Sequence, residues 1–197
     1  MPRSGERTKA RILSRAYMAF RRRGYTRMSM DEIAAAAGVT KRTLYHHFRS
    51  KDDLLAAVLM NQHELSLAAF KTFGDGLSGS PEAIIESLFA QLAVWADRPR
   101  WAGSGFTRLV VELADLPGHP ARTIARRHKA ALEAELAAVL ARSGLCDATR
   151  IAREIWLLSE GAISLMLVHG DRSYAAAAAR AAGRLLEGRR SDKPSRH

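Results

Sequence analysis

The chain has 197 residues, 47% of them hydrophobic, and a formal net charge of +11. That length can bury a full core, either in one domain of moderate size or in a small domain joined to a larger one. The charge is unevenly placed: residues 1–51 hold 13 Lys or Arg against 3 acids, while the other 146 residues hold 18 against 17. A basic N-terminal quarter on a near-neutral body is the electrostatic footprint of a module that binds nucleic acid, with a basic membrane-surface helix as the competing reading.

In chain order, Pro2–Gly5 reads as a loose arm from which Arg3 reaches a phosphate or a minor groove. A first helix is expected from about Glu6 to Arg23, with Ile12, Leu13, Ala16 and Phe20 on its apolar face. Arg21, Arg22 and Arg23 suit the negative end of its dipole, and Gly24 stops it.

The stretch from Ser29 to Lys51 reads SMDEIAAAAGVTKRTLYHHFRSK. Ser29 and Glu32 make a capping box, in which hydroxyl and carboxylate satisfy each other's orphan amides. Ile33, Ala34 and Ala37 form one apolar stripe of a short helix. Gly38 sits where a helix ends in a left-handed residue, and Thr40 caps a second helix from Lys41 to about Phe48. Two short helices joined by a Gly-containing turn make a helix-turn-helix. On a wheel of about 100° per residue, Leu44 and Phe48 point inward and Arg42 and His46 lie opposite. Thr43 and Tyr45 flank that outward face, and Lys41 and His47 fall near the core boundary. Such a face offers donors to base edges and phosphates and a ring to lie against the backbone.

Ser50 caps the next helix, with Asp52 and Asp53 in its first turn; Lys51 there makes sense beside an anion such as a phosphate. This helix runs to about Phe73 and links the head to the body as one rigid rod. Gly74–Gly79 is a flexible break, and Ser80-Pro81 opens a helix to about Ala96. The apolar stretch from Trp101 to Asp115 is helical from about Ser104, and Leu116–Pro120 is a turn. Further helices follow over about Ala121–Arg142, Asp147–Val168 and from Asp171 or Ser173 to about Leu186. The second of these is apolar almost all round and the third is rich in Ala. These last two helices, about residues 147–187, are therefore expected to form a four-helix homodimer interface, the alternative being that they complete the monomer core.

No period-two alternation is sustained anywhere, so the expected fold is all-α: a three-helix helix-turn-helix head over residues 1–51, a helical body over 52–188 and a disordered tail over 189–197. The lone Cys146 excludes an intramolecular disulfide and fits an intracellular protein. The charged N-terminus is not a signal peptide, and the apolar run Ile155–Val168 is too short, and broken by Glu160, to span a bilayer. A cytoplasmic protein without a membrane partner is expected. No Walker loop, GxGxxG, GxSxG or HExxH occurs, so neither an enzyme nor a cofactor is expected. His46 and His47 diverge by about 100° on a helix and are poor joint metal ligands, and His119 and His128 are isolated in sequence.

The segment GVTKRTLYHHFRSKDDLL resembles the recognition-helix signature of the TetR (tetracycline-repressor) family of bacterial transcriptional regulators, and the similarity extends from about Arg7 to Val58. The resemblance implies a dimeric regulator, most often a repressor, that binds a palindromic operator in double-stranded DNA. It places the tyrosine and lysine of the motif, here Tyr45 and Lys51, on the DNA backbone, and it adds His47 to the reading face. With the cap residues Ser29 and Thr40 and the arm residue Arg3, the DNA-contact set becomes Arg3, Ser29, Thr40, Lys41, Arg42, Thr43, Tyr45, His46, His47 and Lys51. The resemblance also implies a small-molecule effector held in the helical body, whose binding releases DNA. The side chains available to line such a pocket are Trp95, Trp101, Phe106, Glu112, Trp156, Glu160 and Met166, all of which can equally fill a core. Glu160, an acid in an apolar helix, needs a partner: a ligand, an arginine such as Arg108, or solvent. A constitutive architectural DNA-binding protein without an effector is the alternative function.

Overall fold

The computed structural model describes residues 4–190. The described residues form helices α1 (Ser4–Arg23), α2 (Met30–Ala37), α3 (Lys41–His47), α4 (Lys51–Asp75), α5 (Pro81–Ala96), α6 (Gly105–Glu112), α7 (Pro120–Arg142), α8 (Ala148–His169) and α9 (Ser173–Arg190). No strand occurs among them. The all-α expectation holds, with helix ends within a few residues of those read from the sequence. The arm residue Arg3 lies outside the described residues.

The local reasons are those the sequence carries. Ser80 accepts from the Ala83 amide ahead of Pro81, and Ser104 accepts from the Thr107 amide to start α6. α9 continues through Arg190, so residues 189 and 190 are helical and not part of a disordered tail; residues 191–197 lie outside the described residues. The Ala-, Arg- and Leu-rich run has high helix propensity, and the helix continues through Gly188.

The packing divides the chain into two compact units, and not at residue 51. The first unit runs to Leu67 and includes Ser104–Lys129. Its core joins Ile12, Phe20, Ile33, Leu44 and Phe48 to Leu54, Leu55, Val58 and Leu59 of α4 and to Leu109 and Leu113 of the α6 region. The first half of α4 thus belongs with α1–α3, because its apolar stripe has no other face to bury against. Gly105 lets α6 approach α1: a Cβ there would fall 2.4 Å from the Tyr17 hydroxyl. The second unit comprises Ala68–Gly103 and the chain from Ala130 onward. α5, α8 and α9 pack together there around Ile84, Ile85, Phe89, Ile151, Ile155 and Met166.

Candidate nucleic-acid interface

The helix-turn-helix is built by its caps. Ser29 Oγ accepts from the Glu32 amide at 3.3 Å while Glu32 Oε2 accepts from the Ser29 amide at 2.9 Å. That amide, then the Arg23 guanidinium, holds the Glu32 carboxyl down to about 2. Gly38 ends α2 at φ 65°, ψ 40°, a conformation that costs a side chain strain and glycine none. Thr40 starts α3 in an extended conformation, its Oγ1 accepting from the Thr43 amide at 3.1 Å and lying 2.8 Å from the Thr43 hydroxyl.

With Leu44 and Phe48 buried, α3 turns Lys41, Arg42, Tyr45 and His46 to solvent, with Thr43 and His47 half-buried. The faces read from the wheel are reproduced, except that Lys41, expected near the core boundary, is exposed because it opens the helix. Tyr45 is 45% exposed, a large ring on an otherwise polar surface. Lys41 Nζ reaches Asp31 of α2 at 3.0 Å, and that carboxylate raises the pKa of the lysine. His47 is held below the usual histidine range, first by burial and then by His46 and Lys9. It is therefore a neutral ring near pH 7, able to donate one hydrogen bond and accept another. α3 itself carries no acid. Lys9 of α1, close enough to influence His47, adds to these basic surroundings; no local signal in the sequence links it to α3.

Lys51 is more deeply engaged than the sequence suggests. Its Nζ donates to the carbonyls of Tyr25 at 3.2 Å and Met28 at 3.1 Å and lies 4.4 Å over the Tyr25 ring. An ammonium has three N–H groups, so two carbonyls leave one for an anion. Next to it the Tyr25 hydroxyl donates to Asp52, which lowers the Asp52 pKa, while burial and then Asp52 raise that of Tyr25. His119 Nε2 stands 3.5 Å from Asp52 Oδ1. On the other side of the same turn Glu112 Oε2 accepts from the Thr26 amide at 3.1 Å and the Thr26 hydroxyl at 3.2 Å.

Glu112, read from the sequence as a pocket candidate, therefore braces the turn between α1 and α2. The other pocket candidates are divided between the two units. Phe106 belongs to the first unit and Trp95, Trp101, Trp156, Glu160 and Met166 to the second. Met166 is 0% exposed and fills the core there, because an unbranched thioether packs into an irregular gap. Trp95 and Trp101 meet edge to face at 5.3 Å, with the Arg172 guanidinium 4.9 Å over Trp101. Trp156 meets Phe70 at 6.4 Å, and Glu160 is half-buried on α8.

A buried pair went unread in the sequence. His63 of α4 and His128 of α7 bring their Nδ1 atoms to 3.2 Å, and Phe106 stacks on the His128 ring at 3.7 Å between centroids. Burial, then Lys129 and His63, pushes His128 down to about 4. Among the described residues no group of three or more His, Cys, Asp or Glu is placed to hold a metal ion. No described helix is long and apolar enough to cross a membrane.

A family model described as bacterial regulatory proteins, tetR family, matches residues 12–58, the segment that folds into these caps and α3. The fold as a whole, at TM-score 0.80 and 25% identity, matches the crystal structure of a TetR-family transcriptional regulator from Streptomyces coelicolor, over 92% of this chain and 95% of that one. Residues 12–58 thus carry a TetR-family helix-turn-helix, and the fold is that of a TetR-family regulator. Among curated TetR-like relatives, the HTH-type transcriptional regulator UidR of Escherichia coli is 36% identical over 70 residues, 36% of either chain. The HTH-type transcriptional regulator TtgR of Pseudomonas putida is 41% identical over 59 residues, 30% of this chain and 28% of that one. The chain thus spans about a third of the length of these curated relatives.

Proposed function

We propose that this protein is a cytoplasmic TetR-family transcriptional regulator, acting as a repressor, that binds a palindromic operator as a homodimer and is released by a small molecule. The observation that carries the DNA-binding part is the exposed face of α3, free of acids, in a helix-turn-helix whose two helices each start at a side-chain cap. Arg42, Thr43, Tyr45 and His46 read the major groove, with Lys41 and His47 at its edges and Ser29 and Thr40 at the caps beside it. Tyr45, the remaining N–H of Lys51 and the arm residue Arg3 take phosphates.

Dimerisation is supported by α8. Opposite its buried stripe it exposes Leu157 (73%), Leu165 and Val168 (72%) at helical spacing, with Gly161 and Ser164 between them. A second copy covering that stripe sets two α3 helices on a palindrome, with half-sites about one helical turn (~34 Å) or more apart. The names of the curated relatives, all HTH-type transcriptional regulators, support the regulator part of the reading.

The test is selection of bound sequences from random duplexes at moderate salt. Enrichment of a palindrome is expected. Recovery of unenriched DNA, held through charge alone, would replace this reading with that of an architectural DNA-binding protein.

A further inference from the structure

We infer that the groove between α6 and α7 is a binding site for a small amphiphile with an anionic head and a short apolar body. The groove has a volume of about 320 Å³, at the small end of the ~300–1,000 Å³ of ligand pockets. Its floor is apolar: Phe106, Val110 and Val111 from α6 and Ala125 from α7. Val111 is 67% exposed and Val110 half-buried, so this floor presents apolar surface to water that an occupant would cover.

The rim is charged in one sense only. Arg122, Arg126 and Lys129 stand along α7 at spacings of four and three residues, which puts them on one side of the helix, and no acid lines the groove. Arg122 Nη1 donates to the Ala114 carbonyl at 3.1 Å, which orients its guanidinium without neutralising it. Arg126 is exposed, and Lys129 Nζ points to the Ser104 hydroxyl at 3.4 Å. The two guanidiniums above an apolar floor repel one another until an anion joins them. A guanidinium fork fits a carboxylate or phosphoryl head in two-point contact, and the floor takes the tail. Neither feature alone selects such a ligand. A neutral apolar molecule leaves Arg122 and Arg126 without an anion, and a bare anion leaves the floor wet.

The effector of the reading above would be of this class. Binding itself is measured on the full chain without DNA, so that a failure here is distinct from a failure of operator binding. The probes are sodium octanoate, 1-octanol as its uncharged counterpart and sodium acetate as the head alone, each titrated calorimetrically at low and moderate salt. Octanoate is expected to bind, weakening as salt rises, at least tenfold more tightly than 1-octanol or acetate. Arg126→Ala should weaken octanoate about three- to tenfold, as loss of one partly exposed charge-assisted contact does. Val111→Glu, at an exposed position where folding is spared, should abolish binding by adding an anion to the floor. Equal binding of octanoate and 1-octanol would overturn the inference, as would octanoate binding left unchanged in both variants or no octanoate binding at all. Salt-dependent competition by random duplex DNA with no preference for octanoate over acetate would make the rim a DNA contact instead.

Discussion

Lys51→Met separates two roles that one ammonium performs. In the structure its two carbonyl contacts, at 3.1 and 3.2 Å, tie the start of α4 to the turn between α1 and α2. Hydrogen bonds to a charged group contribute roughly 1.5–3 kcal/mol, and the half-buried setting puts these at the low end. The Tyr25 ring adds about 0.5–1 kcal/mol at such a site. The contacts share one ammonium and do not add fully, and removing a cation from a helix N-terminus returns about 0.3–1 kcal/mol. Methionine keeps the apolar stem, so the expected net loss is about 2 kcal/mol in the first unit. Tryptophan fluorescence would not report it, since Trp95, Trp101 and Trp156 all lie in the second unit. Hydrogen exchange of the buried α2 and α3 amides, at Ile33 and Leu44, is the suitable assay: their exchange should speed by about thirtyfold, the equivalent of ~2 kcal/mol. DNA binding should weaken for all sequences, with the salt slope falling by about one unit per subunit if the third N–H meets a phosphate. Unchanged exchange at Ile33 and Leu44 would refute the brace. Faster exchange with an unchanged slope would refute the phosphate contact.

Three further outcomes follow from the geometry. Arg42→Ala should cost about 1–3 kcal/mol on the selected operator and relax preference at one base pair, while binding to random DNA changes little; equal loss on both would remove Arg42 from base reading. Leu157→Glu, at a side chain 73% exposed, should leave helical content intact and turn the dimer into a monomer by light scattering, with loss of palindrome binding; an unchanged mass would rule the α8 stripe out as the interface. His128, held at about 4 against an ordinary 6.5, binds its proton more readily when the chain is unfolded. The stabilisation is therefore complete above pH 6.5 and lost as pH falls to about 4, by at most about 3 kcal/mol. Exchange-derived stability of α4 around His63 should fall by about 2 kcal/mol from pH 7 to pH 5, the part of that span above pH 5, and His128→Leu should flatten it.

The helix-turn-helix was legible because everything that specifies it is local. Ser29 finds Glu32 three residues on, Thr40 finds Thr43, and Gly38 needs only its own backbone to end a helix. The inward face of α3 follows from two apolar residues four apart. What was not legible is non-local: Lys51 reaches back 26 and 23 residues, Glu112 meets Thr26 across 86, and His63 meets His128 across 65. No spacing rule marks such partners. Nor does a sequence tell a Met in a core, as Met166 is, from a Met in a pocket, since they are the same letter. Glu112 was singled out for its chemistry, and its partner, Thr26, lies in the head.

The distant ties of Lys51 and Glu112 converge on one place. The turn from Gly24 to Met28 is held from α4 by Lys51 and by Asp52 under Tyr25, and from the segment 104–129 by Glu112 at Thr26 and by His119 beside Asp52. The apolar side chains say the same, because Leu109 and Leu113 sit in one core with Phe20, Ile33 and Leu44. The orientation of α3 is therefore not a property of residues 1–51 alone. It depends on α6 and on the first turns of α7, the elements that form the basic groove and carry His128. A ligand or a proton that shifts those elements acts on the core in which the recognition helix is seated, with no need for a signal to cross from the second unit.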